Sequence, residues 1–355
     1  MRAESVTERT KVYITHNQLT GVDPDSIDGV GRVAHGGTTD PERVDFSTNT
    51  NPRTPDGVAG VYESALSAAG RYPADDYCEF RAAAADYLGV TATQTIPTAG
   101  GLAGIRLLCS VVIDSGDSVA VPTPSSNEYA REARLQGGEP TFVPHDEITD
   151  IDPAAHRLVI LCNPNNPTGE SYAHAALQGL ADRCRAADTV LLVDEAFLDF
   201  TTEPSLAATP GVVVARSLTK IFGFPGLRAG FLVATGDLQA KLAVGRPTWA
   251  LSTPAAAVGS HCLRDTEFVA ETRERVDAER ERMSDRLTDR FRVFPSNSPF
   301  LLCETSEPVG DLLEDARVAG LTIRDATTFR GLDSHIRVAV KRAEQNDRLL
   351  AALNV

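Results

Sequence analysis

Four short polar clusters interrupt an otherwise apolar middle third of the chain. Thr98-Ala99-Gly100-Gly101 opens a helical stretch, Asn163-Pro164-Asn165-Asn166-Pro167-Thr168-Gly169 follows the apolar run LVILC, and Asp194-Glu195 follows TVLLV. Ser217-Leu218-Thr219-Lys220 precedes the motif GLRAG, which carries Arg228. Paired glycines at the start of a helix leave backbone amides free to face an anion. Polar groups that follow apolar strands collect ligands in open α/β sheets. A further arginine, Arg337, sits inside the apolar string IRVAV, where a guanidinium requires a carboxylate or phosphate.

The segments between these clusters must place them. Residues 80–88 (FRAAAADYL) and 102–112 read as helices, as does 175–187. Short continuous apolar runs at 118–121, 158–162, 189–193, 211–215 and 230–234 read as strands buried on both faces. Alternation of such strands with helices predicts a mostly parallel sheet. After about residue 265 the texture changes to a long charged helix (267–291), then FLLCE, a second helix, LTIR, IRVAV and a closing helix. The expected architecture is α/β: a polar arm over 1–50 packing with the small domain, a large domain over 51–262, and a small α+β domain over 263–355.

The 355 residues include 34 basic and 49 acidic side chains, a formal net charge of −15. A broad nucleic-acid or anionic-membrane face needs basic excess, so neither is expected as partner. The N-terminal MRAESVTERT is polar and no run reaches the roughly 20 apolar residues of a membrane span, which together predict a cytoplasmic protein. Lysines are confined to positions 11, 220, 241 and 341; an acidic, arginine-rich chain fits a halophilic source, and a GC-rich genome gives the same arginine bias. The six cysteines form no CxxC pair and several sit in apolar strings, so they read as buried thiols in a reducing compartment. No His/Cys cluster has metal-ligand spacing, and no metal is expected.

The clusters, taken in order, resemble the fold-type-I aminotransferase superfamily, whose cofactor is pyridoxal 5'-phosphate, along nearly the whole chain. Within it, His35-Gly36-Gly37, DFSTNTNP (45–52), DEAFLDF (194–200) and IRDATTFRGL (323–332) resemble the threonine-phosphate decarboxylase group of cobalamin biosynthesis. Histidinol-phosphate aminotransferases are the near neighbours. The resemblance implies that Lys220 joins the cofactor aldehyde and that Asp194 pairs with the pyridine nitrogen. It implies that Asn166 donates to the ring hydroxylate, that Gly100, Gly101, Ser217 and Arg228 hold the phosphate, and that Tyr72 reaches the phosphate of a neighbouring subunit in a homodimer.

The same resemblance places the substrate, a phosphorylated amino acid, on Arg337 through its α-carboxylate, with Arg324, the Gly36 and Gly37 amides, Ser47 and Asn49 as further donors. The implied reaction is decarboxylation of L-threonine O-3-phosphate to (R)-1-aminopropan-2-yl phosphate and CO2. The alternative is transamination of histidinol phosphate with 2-oxoglutarate. Two departures from the usual aminotransferase pattern stand out. Ser126 falls where many relatives stack an aromatic on the ring, leaving Tyr129 or another group to cover it, and Phe197 replaces a tyrosine, as the decarboxylase group tends to show.

Overall fold

A computed structural model describes residues 22–355; the first 21 residues of the expected arm lie outside it. Past a short 3-10 turn at Pro24–Gly29, the chain makes strand β1 (Val44–Asp45) and then enters a seven-stranded sheet. Its strands are β2 (Thr95–Thr98), β3 (Ser118–Thr123), β4 (Glu139–Pro144), β5 (Leu158–Cys162), β6 (Val190–Asp194), β7 (Val212–Ser217) and β8 (Gly230–Val233). The spatial order is β2-β8-β7-β6-β5-β3-β4. All neighbours from β7 through β4 pair parallel, and β8 runs antiparallel to both β2 and β7.

Every residue of β5 and β8 is buried, as are Leu191–Val193 and Val212–Arg216. Helices on both sides account for this: Gly101–Val112 packs on β7 and β8, and His174–Ala186 packs on β6. Burial on both faces is what makes these strands read as unbroken apolar runs.

The long helix Thr266–Leu287 leads into a second, antiparallel sheet. It contains β9 (Arg292–Val293), β10 (Phe300–Glu304), β12 (Arg324–Asp325) and β13 (His335–Ala339) in the order β12-β13-β10-β9. Strand β11 (Leu321–Thr322) pairs parallel with β1, so the segment from 44 onward is stitched to the C-terminal elements. The Phe46 carbonyl accepts from Ala339 N at 2.9 Å and Asn51 N donates to the Lys220 carbonyl at 3.0 Å. Residues 45–51 therefore run as a strap from the C-terminal sheet to the Lys220 loop. Lys341, buried just beyond β13, holds that strap by donating from Nζ to the carbonyls of Thr48 and Thr50 at 3.0 and 2.8 Å.

Candidate active site

Sheet register brings the clusters together. Strands β2, β7, β6 and β5 finish at one edge, at Thr98, Ser217, Asp194 and Cys162, and β8 starts there at Gly230. Gly230 is opposite both Thr98 and Ser217, Asp194 opposite Ala215, and Cys162 opposite Asp194. Groups widely separated in sequence thus emerge side by side, the position where open α/β sheets hold ligands.

Gly100, Gly101, Ser217 and Arg228 form a cup at the N-terminus of the helix Gly101–Val112. Gly100 has φ +89°, and a Cβ there would lie 2.6 Å from the Arg228 Nη2. A Cβ on Gly101 would meet the Ser217 Cβ at 3.5 Å. Arg228, itself at φ +55°, is tied to the Pro225 and Ala99 carbonyls. Helix-start amides, a hydroxyl and a guanidinium brought together are the chemistry of a phosphate site.

Lys220 lines the adjoining cavity, and Asp194 lies near enough to act on its charge. Burial lowers the Lys220 pKa to about 8, helped by the positive charges of Arg337 and Arg228 and opposed by Asp194. Its Nζ stands 5.5 Å from the centre of the Phe197 ring. Burial raises the Asp194 pKa, opposed chiefly by a hydrogen bond that the Tyr129 hydroxyl donates to Oδ2 at 2.8 Å. The Ala196 amide donates to the other oxygen, Oδ1, at 3.1 Å. Tyr129, offered by the sequence as a ring cover, does not line the cavity; its hydroxyl supports the acid. Ser126, Phe197 and Phe329 line the cavity instead.

The cavity measures about 150 Å³, smaller than the roughly 300–1,000 Å³ typical of small-ligand sites. Asn166 enters it with Oδ1 accepting from Arg337 Nη1, which leaves the amide NH2 to donate elsewhere. Arg337 also donates from Nη2 to the Ser47 carbonyl at 2.9 Å, while its buried Nε has no hydrogen-bond partner among the described residues. Arg324 stands directly opposite Arg337 across β12 and β13. Its Nη2 donates to the Ala34 carbonyl at 2.7 Å and to Thr328 Oγ1 at 2.8 Å. Both arginines are almost fully buried, and among the described residues neither forms an ion pair. Burial, with Arg324 beside it, lowers the Arg337 pKa to about 9. Two unneutralised guanidiniums in one cavity call for anionic ligand groups.

The remaining expected residues divide. Gly36, Ser47 and Asn49 line the cavity, and the Asn49 Oδ1 is buried without a hydrogen-bond partner among the described residues. Gly37 does not line it: its amide donates to Ser47 Oγ at 2.6 Å, and Ser47 in turn donates to Asp45 at 2.6 Å. These groups shape the strap and have little left for a ligand. Tyr72 also stands away from the cavity of its own chain, 76% exposed and stacked on Trp249 at 4.0 Å between ring centres. Behind Asp194, the buried Arg216 bridges Glu195, at 3.0 Å, and Asp199, which also accepts from Tyr87 at 2.7 Å. That network carried no sequence signal beyond an arginine in an apolar strand.

The residues present fit pyridoxal 5'-phosphate. The glycine cup matches its phosphate, a lysine of lowered pKa its aldehyde, a buried carboxylate its ring nitrogen and the Asn166 amide its ring oxygen.

Comparison with known proteins gives a family model described as aminotransferase class I and II, matching residues 41–353. Histidinol-phosphate aminotransferase 1 of Archaeoglobus fulgidus is 32% identical over 317 residues, covering 87% of this chain and 98% of that protein. Threonine-phosphate decarboxylase of Salmonella typhimurium is 31% identical over 336 residues, covering 89% and 92%. The crystal structure of L-threonine-O-3-phosphate decarboxylase from Porphyromonas gingivalis superposes with a TM-score of 0.81 at 25% identity, covering 88% of this chain and 98% of that one.

Proposed function

Because the chain belongs to the aminotransferase class I and II family of pyridoxal-phosphate enzymes, we propose that it decarboxylates L-threonine O-3-phosphate, giving (R)-1-aminopropan-2-yl phosphate and CO2. The observation that carries this reading is the pair of opposed, buried guanidiniums of Arg324 and Arg337, neither of which forms an ion pair among the described residues. A substrate bearing both a carboxylate and a phosphate supplies two anions for them. The replacement of the usual tyrosine by Phe197 and the likeness to two threonine-phosphate decarboxylases favour the same reading.

Arg337 orients the α-carboxylate and, through the same guanidinium, holds Asn166 with its NH2 toward the cofactor ring. Arg324 receives the substrate phosphate beside His35 and the Gly36 backbone. When bound, pyridoxal 5'-phosphate supplies the electron sink for the pair left at Cα as a bond to it breaks. Asp194, whose anionic form the Tyr129 hydroxyl and the Ala196 amide favour, would hold positive charge at the ring nitrogen. Lys220, whose pKa of about 8 lies near neutrality, takes and returns a proton at Nζ. The reaction balances as one carboxylate lost as CO2 and one proton gained at Cα. Tyr72, exposed on the surface of its own chain, would act in a second copy, making the working unit a homodimer.

The test is CO2 release from L-threonine O-3-phosphate by protein loaded with pyridoxal 5'-phosphate. Stoichiometric CO2 supports the assignment. No CO2, together with amino transfer from histidinol phosphate to 2-oxoglutarate, replaces it by the aminotransferase reading, which the relative from A. fulgidus represents.

A further inference from the structure

Segment 325–332 connects β12 to β13 and borders the cavity from the C-terminal sheet. Three contacts pin it to the seven-stranded half. Asn127 donates from Nδ2 to the Thr328 carbonyl at 2.7 Å, Thr123 donates from Oγ1 to the Arg330 carbonyl at 3.2 Å, and the Arg330 guanidinium lies 4.0 Å over the Phe142 ring. Thr328 is the residue through which this docking reaches the cavity. Its hydroxyl donates to the Asp325 carbonyl at 3.0 Å and accepts from Arg324 Nη2.

Among the described residues Arg324 has no ion pair to fix its direction. Its hydrogen bonds run to neutral acceptors, the Ala34 carbonyl and the Thr328 hydroxyl. A long side chain held by neutral acceptors keeps its position only if those acceptors keep theirs, since each bond contributes little net energy. Asn127 therefore governs, from the other half of the molecule, one of three contacts on Arg324, the third being the Phe329 ring 5.3 Å from its guanidinium. It stands at the start of the helix Asn127–Leu135, next to Ser126, so that helix start reaches across to the C-terminal loop.

We propose that Asn127 is a positioning residue for substrate specificity: by pinning the Thr328 backbone it aims Arg324, and so sets the preference for a phosphorylated over an unphosphorylated amino acid. This inference rests on the reading of Arg324 as the phosphate-binding group. It makes the loop 325–332 a specificity clasp whose geometry exists only when the two halves are docked.

The experiment measures dissociation constants of L-threonine O-3-phosphate and L-threonine for the cofactor-loaded protein, read from the change in cofactor absorbance. Asn127→Ala is expected to lower the preference for the phosphorylated ligand by about 3- to 10-fold, the scale of one neutral hydrogen bond. Asn127→Leu keeps roughly the size, brings no charge into the cavity that residue 127 lines and cannot donate to a carbonyl, and should behave alike if the alanine variant folds poorly. In an Arg324→Gln background the Asn127 change should have no further effect on the preference. Equal weakening of both ligands by the Asn127 variants, or an additive effect in that background, overturns the proposal. An unchanged preference in Arg324→Gln alone overturns instead the assignment of Arg324 to phosphate.

Discussion

Tyr129→Phe isolates the support of Asp194 from the rest of the site. The substitution removes one hydroxyl, buried with the rest of the ring, and leaves the ring in place. What is lost is a 2.8 Å hydrogen bond to a carboxylate that burial already disfavours as an anion. A hydrogen bond to a charged acceptor contributes about 1.5–3 kcal/mol, which corresponds to roughly 10- to 150-fold in an equilibrium constant. The Ala196 amide still holds Oδ1, so the lower half of that range is expected. Since the lost bond depresses the Asp194 pKa, its removal raises that pKa further. The carboxylate then protonates at a higher pH on acidification, and cofactor affinity falls away earlier. Titrating cofactor-free protein with pyridoxal 5'-phosphate between pH 5 and 8 measures both effects. An affinity within about twofold of the unsubstituted protein across that window would refute the reasoning, because a charge-assisted bond of this length cannot be lost so cheaply.

Other outcomes follow from the same geometry. Gly100→Ala places a Cβ against the Arg228 guanidinium at φ +89°, and should weaken cofactor binding at least about tenfold by equilibrium titration while leaving far-ultraviolet circular dichroism unchanged. Lys220→Met should stabilise the cofactor-free protein near pH 7. The native lysine has a folded pKa of about 8 against an ordinary 10.5, so the unfolded chain binds the extra proton and the penalty disappears as pH rises through that window. Melting temperatures of the two proteins should converge by about pH 10.5. Arg216→Ala leaves Glu195 and Asp199 as uncompensated buried charges and should cost about 3–5 kcal/mol in urea unfolding. Lys341→Met, which removes both donors to the 48–50 backbone, should raise KM more than it lowers kcat, since it loosens the strap carrying Ser47 and Asn49 rather than Lys220 itself.

Five of the seven strands of the large sheet were legible because strands buried on both faces appear as apolar runs; β2 and β4 were not read, β2 being only four residues long and β4 largely exposed or half-buried. Lys220, Asp194, Asn166, Ser217 and the glycine pair could be gathered for the same reason: adjacent parallel strands end at one edge, so nearness in space follows from strand order. Contacts that join separate loops left no such mark. Tyr129 and Asp194 are 65 positions apart, His35 and Glu128 93, Asn127 and Thr328 201. Nothing in the local text of SSNEY tells which way a tyrosine hydroxyl turns. Arg216 was hidden by its setting in VVVARS, where a charged side chain at the end of a strand is ordinarily half-exposed. Glycine text misled once: the pair at 36 and 37 looks like an anion nest, yet the Gly37 amide is consumed by Ser47.

Borohydride reduction of the protein loaded with pyridoxal 5'-phosphate, followed by peptide mapping, bears most directly on how the site is used. The account predicts a single stable pyridoxyl label on the peptide containing Lys220, and none in Lys220→Met. A label on Lys341 or Lys241, or no label on a protein that still turns over substrate, would contradict it.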